Sequence, residues 1–260
     1  MIDLLFELSL FTGILIFLVC TVLLGAVIFL VFHHLNTKIN LSKRHSQVGR
    51  VLFRTSASLL ALLLSFTYAS QRVDYFKIKQ SLELEASQIV DIHMDLELFD
   101  EPEAESIRQK IRNYVLVMLE EGWKPVSESP FQSRTYLFFF EIYQDIHKIE
   151  ASNEFQEQLK TNLIADIDEI SDHMQVRFYQ TNAEAPFLIY IALFGFVVVM
   201  IFFSVYTPDK ITIAFISLFN AFIGLVLYFI VMMNNPLIGP LQIQPESFQI
   251  LKEAIDTELN

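Results

Sequence analysis

The stretch FRTSASLLALLLSFTYASQR, residues 53–72, decides the fold, because it is apolar like a membrane helix yet contains small polar and basic residues. Its apolar core, from Ala57 to Ala69, has only about 13 residues, fewer than the ~20 that cross a bilayer. Extended back to Val51, the segment is long enough to span if Arg54 reaches toward one interface. We therefore interpret residues 51–69 as a membrane helix.

Three further apolar blocks surround this stretch. The chain of 260 residues is 53% apolar, contains 25 phenylalanines and is only 18% charged. Each block holds about 20 residues without a charged side chain, which suffices to cross the hydrocarbon. The sequence thus predicts an all-α membrane protein with four transmembrane helices, at about residues 10–32, 51–69, 186–206 and 211–233.

Between the two predicted hairpins, residues 1–70 and 186–233, lies an acidic segment, 71–185, with helical periodicity. An apolar stripe at helical spacing begins soon after the second span, so we expect that helix to continue out of the bilayer. No long run alternates with period two, which indicates a helical extramembrane domain. The stripe consists of Ile78, Leu82, Ile89, Ile92 and Leu96.

The tail, residues 234–260, contains prolines and a glycine that disfavour a continued helix. It is nevertheless apolar at Leu237, Ile238, Leu241 and Ile243. We therefore expect it to pack on the helical domain or on a neighbouring subunit.

Composition and motifs exclude several functions. The net charge of −12 argues against nucleic-acid binding, and no phosphate-binding loop is present. No C-x-x-C pair or nucleophile elbow is present, so we expect no enzyme activity, metal or cofactor.

Acids lie one or two residues from histidines at three places, but such neighbours on a helix do not face each other, which favours surface or capping roles. These pairs are Asp91 with His93, Asp145 with His147, and Asp172 with His173.

Glu85 lies in the middle of the apolar stripe, where an uncompensated carboxylate would be costly. Either it faces a polar cavity or an arginine pairs with it, with Arg108, Arg112 and Arg177 as candidates.

Small and basic residues of the opening stretch share one narrow arc of the helix. They are Arg54, Ser58, Ala61, Ser65 and Arg72. Such a face allows close helix packing, and it would also line a water-filled path through an oligomer, where arginine rings would favour anions. The two roles do not exclude each other.

The last predicted span contains an intramembrane polar residue, Asn220. We interpret it as an interhelical hydrogen-bonding residue, with a permeation contact as the alternative.

Loop charges predict an orientation. The loop after the first span contains four basic residues and no acid, which places it in the cytoplasm and the helical domain outside. A second basic group beyond the second span reduces this bias. The first group is Lys38, Lys43, Arg44 and Arg50, and the second is Arg72, Lys77 and Lys79.

The run from Gly49 to Asp100 resembles the signature of a bacterial membrane-protein family identified as bestrophin-like. In that family a small-residue span leads into a helix with a Glu-Ala pair, here Glu85 and Ala86. The segment NNPLIGPLQIQPESF is similar to the family's closing pattern, with Leu237 in place of the usual aromatic residue. The matching tail positions are Pro236, Gly239, Pro245 and Phe248.

This resemblance implies an oligomeric ion channel, with a pentamer expected and the second membrane helix lining the pore for inorganic ions, anions slightly favoured. It implies a multi-pass protein of the bacterial inner membrane, with the domain and termini in the cytoplasm, an orientation that the loop charges oppose. The aromatic neck and the acidic calcium clasp of animal bestrophins have no match here. The alternative function is a non-conducting sensor or scaffold whose helical domain binds a partner protein.

Overall fold

The computed structural model describes residues 6–39, 42–122, 133–181 and 187–257, and this part of the chain forms helices and no strand. The all-α prediction is therefore confirmed for these residues. The helices, in chain order, are α1 (Leu10–Ile39), α2 (Lys43–Phe99), α3 (Pro102–Glu121), α4 (Arg134–Lys148), α5 (Glu154–Thr181), α6 (Phe187–Phe203), α7 (Lys210–Met233) and α8 (Glu246–Thr257).

Three of the described helices, α1, α2 and α7, are long and apolar enough to cross a membrane. Helix α6, with 17 residues, is shorter than the third span predicted at about residues 186–206, and the four-span layout is not confirmed. The backbone N–H groups of Ser204 and Tyr206 turn back to carbonyls three residues earlier, which ends the helix ahead of Pro208. Polar ends extend α1 to Ile39 and begin α2 at Lys43, so both helices are longer than the spans predicted at about residues 10–32 and 51–69.

The chain divides into two compact units. The first, here called the membrane unit, comprises residues 1–73, 183–234 and 239–241. The second, called the helical unit, comprises residues 74–182, 235–238 and 242–260. Helix α2 has 57 residues and contributes to both units, as its apolar stripe predicted.

The core of the membrane unit is built mainly from α1, α2, α6 and α7. Leu60 and Leu64 of α2 are buried with Phe196 of α6 and Phe29 of α1. Burying a large apolar side chain that would otherwise be in water stabilises a fold by about 1.5–3 kcal/mol. In a bilayer the alternative environment is lipid, so close packing between helices supplies the attraction instead.

The core of the helical unit is lined by the apolar stripes of α2, α3, α4, α5 and α8. Ile78, Leu82 and Ile92 are each at most 2% exposed, so the predicted stripe of α2 is the buried face. Lys110 of α3 donates to Asp145 of α4 at 2.7 Å, and this hydrogen bond raises the pKa of the lysine.

Helix α2 ends where Asp100 adopts a left-handed conformation, with φ of 52°. Short polar side chains such as that of aspartate tolerate this region better than most. The amide of Gln156 in α5 donates to the carbonyl of Phe99 at 2.9 Å, so a side chain satisfies one of the free carbonyls at the helix end.

Candidate functional site

The small-residue stripe of α2 is exposed along its whole length. Arg54, Ser58, Ala61, Ser65 and Arg72 all lie on the outer surface of the chain. The described helices of the chain therefore leave this face uncovered. Helices of the same chain therefore do not supply the close packing, and a second subunit or a water-filled path stays the alternative for this face.

The opposite face of α2 is packed, and this packing sets the rotation of the helix. Leu60 and Leu64 are 3% and 5% exposed, and the Cδ1 atom of Leu60 approaches the backbone of Gly195 in α6. Thr67 is also buried, and its hydroxyl donates to the carbonyl of Leu63 at 2.9 Å. On the exposed face, the hydroxyl of Ser58 donates to the carbonyl of Arg54 at 3.0 Å. Hydroxyl groups on both faces therefore find acceptors within the helix.

Beside the stripe, the exposed surface of α2 is apolar. Leu59, Leu62 and Phe66 are 62%, 53% and 64% exposed. At 100° per residue these three lie next to the arc of Ser58 and Ser65. The outer face of α2 therefore has a small polar edge and a large apolar edge.

An aromatic cluster fixes one end of α2. The ring of Phe53 stacks on Phe203 with centroids 4.5 Å apart, and Tyr206 contacts both rings. The guanidinium of Arg50 lies 5.3 Å from the centroid of the Tyr206 ring, a cation–π arrangement. The first part of α2 is thus held by Phe203 at the end of α6 and by Tyr206 in the turn that follows.

Asn220 is fully buried where α7 meets α1. A Cβ built on Gly25 would lie 2.0 Å from its Nδ2 atom, so the amide occupies the space that glycine leaves. Within the described residues, neither side-chain amide atom of Asn220 has a hydrogen-bond partner. Asn220 therefore packs between two helices of its own chain.

The same seam has close contacts on either side. Gly13 of α1 is covered by the ring of Tyr228, and Gly224 of α7 is covered by Thr21. The two helices run antiparallel with small residues alternating between them, which lets their backbones approach closely. Sequence reasoning missed this seam, although the spacing of Gly13 and Gly25 on α1 was its signal.

Glu85 is 0% exposed in the helical unit, and its Oε1 accepts a hydrogen bond of 2.5 Å from the Tyr114 hydroxyl. This tyrosine was not among the predicted partners. Arg108 pairs with Glu105 and Glu97, and Arg112 lies 3.8 Å from Glu105. The side chain of Arg177 lies outside the described residues.

In the described part of the chain, no three or more His, Cys, Asp or Glu side chains converge as the ligands of a metal ion would. His93 is 2% exposed, and burial, followed by the charges of Arg108 and Arg112, lowers its pKa to about 4. Asp145 binds Lys110, and the Nδ1 of His147 donates to the carbonyl of Tyr143 at 2.9 Å. The backbone carbonyl of His173 accepts from Ser81 at 3.0 Å.

The tail motif shapes a loop. The carbonyl of Pro236 accepts from the N–H of Ile243 at 2.7 Å, and Gly239 has a φ of 86°, which side-chain-bearing residues rarely adopt. The carbonyl of Pro245 accepts from Gln249 at 2.9 Å at the start of α8. Phe248 is fully buried in the core of the helical unit, with Leu251 and Ile255 of the same helix.

These features define an all-α membrane protein in which one long helix has an uncovered small-residue face. A family model, the bestrophin-like domain, matches residues 19–248. The chain belongs to the bestrophin-like family, and the resemblance inferred from the sequence is confirmed.

The fold is also that of a solved relative. The crystal structure of a bacterial bestrophin homolog from Klebsiella pneumoniae, carrying one mutation, matches with a TM-score of 0.63 at 11% identity. The match covers 93% of this chain and 98% of that one. No curated protein matches the chain significantly.

Proposed function

We propose that this chain assembles into a homo-oligomeric ion channel in which the small-residue stripe of α2 lines the pore. The observation that carries this proposal is the exposure of Ser58, Ala61 and Ser65 on a membrane helix whose opposite face is packed. Hydroxyl groups that face lipid have no water to hydrogen-bond with, whereas hydroxyl groups that face a water-filled path remain hydrated.

The apolar edge of the same face supports an oligomer. In a ring of subunits, Leu59, Leu62 and Phe66 would contact a neighbouring copy or lipid while the small edge faces the axis. A pentamer is the form that the family resemblance suggests. Assembly of this kind needs closed rotational symmetry, so each copy would contribute one α2 helix.

Anions are the favoured permeant ions in this proposal. Arg54 and Arg72 bracket the stripe, and each would form a ring of positive charge when copies surround an axis. Fixed cations along a narrow path attract anions and repel cations.

The protein would be a multi-pass protein of the bacterial inner membrane in which α6 completes a fourth span. Flanking residues would make up for the shortness of α6, since a short apolar helix can be accommodated by local thinning or snorkelling. By the positive-inside rule, the basic first loop favours a cytoplasmic N-terminal side of α2 and an external helical unit. No enzymatic step forms part of this proposal.

Planar-bilayer recording of the purified protein tests the proposal. Wild-type protein should conduct, Ser58→Trp and Ser65→Trp should block conduction, and the matched control Leu59→Trp on the apolar edge should conduct. Neutralising both arginines, with Arg54→Gln and Arg72→Gln, should move the reversal potential away from the chloride equilibrium.

Two results would contradict the proposal. One is a monomer in detergent by mass photometry, because a single α2 cannot enclose a path. The other is a wild-type protein that shows no conductance under any gradient, together with a Ser65→Trp variant that folds and assembles as wild type does. That combination would favour the non-conducting sensor or scaffold.

A further inference from the structure

One end of the membrane unit has a concentration of exposed positive charge. We propose that this end binds the headgroups of anionic phospholipids. Its defining residues, here called the basic rim, are Lys38, Arg44, Arg50 and Lys210, all exposed. The inference does not depend on whether the protein conducts ions.

The rim residues come together because three chain segments meet at this end. The Nδ1 of His33 in α1 donates to the carbonyl of Ser204 at 3.0 Å, and Asn36 donates to the Ser204 hydroxyl at 2.8 Å. Near the start of α2, Gly49 is in close contact with the side chain of Val205. The end of α1, the start of α2 and the turn before α7 are therefore held against one another.

The positive charge of the rim is not paired with acids in the part of the chain that the structure describes. In the described residues none of the four rim side chains forms an ion pair, whereas six basic residues of the helical unit do. Those six are Lys79, Arg108, Lys110, Arg112, Arg134 and Lys252. Since the chain has a net charge of −12, the rim is a local reversal of sign.

The one acid beside the rim is already engaged. Asp209 is the only acidic residue in the ranges 33–54 and 204–210. Its carboxylate accepts from the backbone N–H of Thr212 at 2.7 Å as the N-cap of α7. The carboxylate keeps its charge at the helix N-terminus, but one acid beside four rim bases leaves the rim net positive.

The position of Arg50 indicates a lipid as the ligand. Its guanidinium lies 5.3 Å from the centre of the Tyr206 ring, which itself packs on Phe53 and Phe203. Tyrosine rings at the ends of apolar helices lie at headgroup level, between acyl chains and water. The ring therefore holds a phosphate-binding group at the depth of the lipid phosphate.

The magnitude of the effect follows from the charge count. A basic residue near an anionic membrane surface strengthens binding by about fivefold. Removal of three rim charges should therefore weaken the affinity for an anionic lipid by about 100-fold at low salt. Affinity for a zwitterionic lipid should hardly change.

Native mass spectrometry of the detergent-solubilised full chain, titrated with phosphatidylglycerol or phosphatidylcholine, tests this inference. Wild-type protein should prefer phosphatidylglycerol, and added sodium chloride should reduce the preference, because exposed charges are screened. The triple variant Arg44→Gln, Arg50→Gln, Lys210→Gln should lose the preference. The control triple variant Lys79→Gln, Lys160→Gln, Lys252→Gln removes equal charge from the helical unit and should retain it.

An unchanged preference in the rim variant, or an equal loss in the control variant, would overturn the proposal. Competition with inorganic phosphate distinguishes a lipid headgroup from a soluble anion as the ligand of the rim. If phosphate at the same concentration displaces phosphatidylglycerol, the rim binds a soluble anion and the assignment to lipid is wrong. If it does not, the acyl chains contribute and the lipid assignment stands.

Discussion

The hydroxyl of Tyr114 donates a hydrogen bond of 2.5 Å to Oε1 of Glu85, and the two residues are 1% and 0% exposed. The bond joins α3 to α2 inside the apolar core of the helical unit. The Sδ atom of Met174 in α5 lies 3.9 Å from the same hydroxyl. A buried carboxylate thus has a hydrogen-bond donor from a neighbouring helix, which reduces the cost of placing it in an apolar stripe.

Removal of this donor should destabilise the helical unit. We expect Tyr114→Phe to lower the free energy of unfolding by about 1–3 kcal/mol, because the buried carboxylate loses a hydrogen bond while the ring volume is kept. Thermal unfolding in detergent measures the change. Tyr190→Phe, at a residue that is 62% exposed, is the control and should have no effect. Equal stability of Tyr114→Phe and wild type would show that the bond contributes nothing.

The seam between α1 and α7 should not tolerate a methyl group at Gly25. A Cβ there would lie 2.0 Å from Nδ2 of Asn220, so we expect Gly25→Ala to cost about 1–3 kcal/mol. Gly195→Ala is the matched control, because its Cβ would lie 3.3 Å from the flexible end of Leu60. The melting temperature in detergent should fall far more for Gly25→Ala.

A second substitution at the seam should restore stability. Asn220→Ala removes the amide that the new methyl group contacts, so the double variant Gly25→Ala, Asn220→Ala should be more stable than Gly25→Ala alone. A double-mutant cycle of the four melting temperatures measures this coupling. If the decreases in melting temperature of the two single variants simply add in the double variant, the methyl group at position 25 and the Asn220 amide do not compete for space.

Acid should destabilise the helical unit through His93. Burial and the charges of Arg108 and Arg112 lower its folded-state pKa from 6.5 to about 4. The unfolded chain therefore binds a proton at higher pH than the folded chain, and stability falls as pH drops from 6.5 toward 4. The largest loss from this group is about 3 kcal/mol.

The slope of melting temperature against pH isolates this effect. His93→Gln should flatten the slope between pH 6.5 and 4, whatever its effect at neutral pH. Burial and neighbouring carboxylates raise the pKa of Asp166, so this residue contributes the opposite slope in both proteins. An identical slope in the variant and in wild type would contradict the role of His93.

The loop of the tail should depend on a glycine at position 239. With φ at 86°, Gly239→Ala should cost about 1–2 kcal/mol. Its Cβ would also lie 2.7 Å from the Cδ1 atom of Phe6. Gly239→Asn should cost less than alanine, since asparagine tolerates left-handed backbone. Melting temperatures that rank asparagine below alanine would contradict this explanation.

Much of the secondary structure followed from periodicity, because a buried helix face repeats every three or four residues. The stripe of Ile78, Leu82 and Ile92 correctly predicted that α2 continues far beyond the apolar core at residues 57–69. The end of α6 at Phe203 did not follow, because residues 204–206 are apolar or small and the turn depends on local backbone hydrogen bonds.

The candidate site was only partly predictable. A helical wheel placed Ser58, Ala61 and Ser65 on one arc, since angles within a single helix depend only on spacing. It did not reveal whether that arc is covered by another helix. The hydrogen bond from Tyr114 to Glu85 was also hidden, because Tyr114 lies on another helix and its register relative to α2 depends on packing.

The sequence by itself determined the apolar helices, the inserted acidic segment and the family, because each depends on composition and spacing along the chain. The tertiary structure alone decided that the small face of α2 is exposed, that Asn220 fills the space beside Gly25, and that Tyr114 binds Glu85. The physical reason is that contacts between helices depend on how side chains of distant segments interlock, and such interlocking has no periodic signature in one chain.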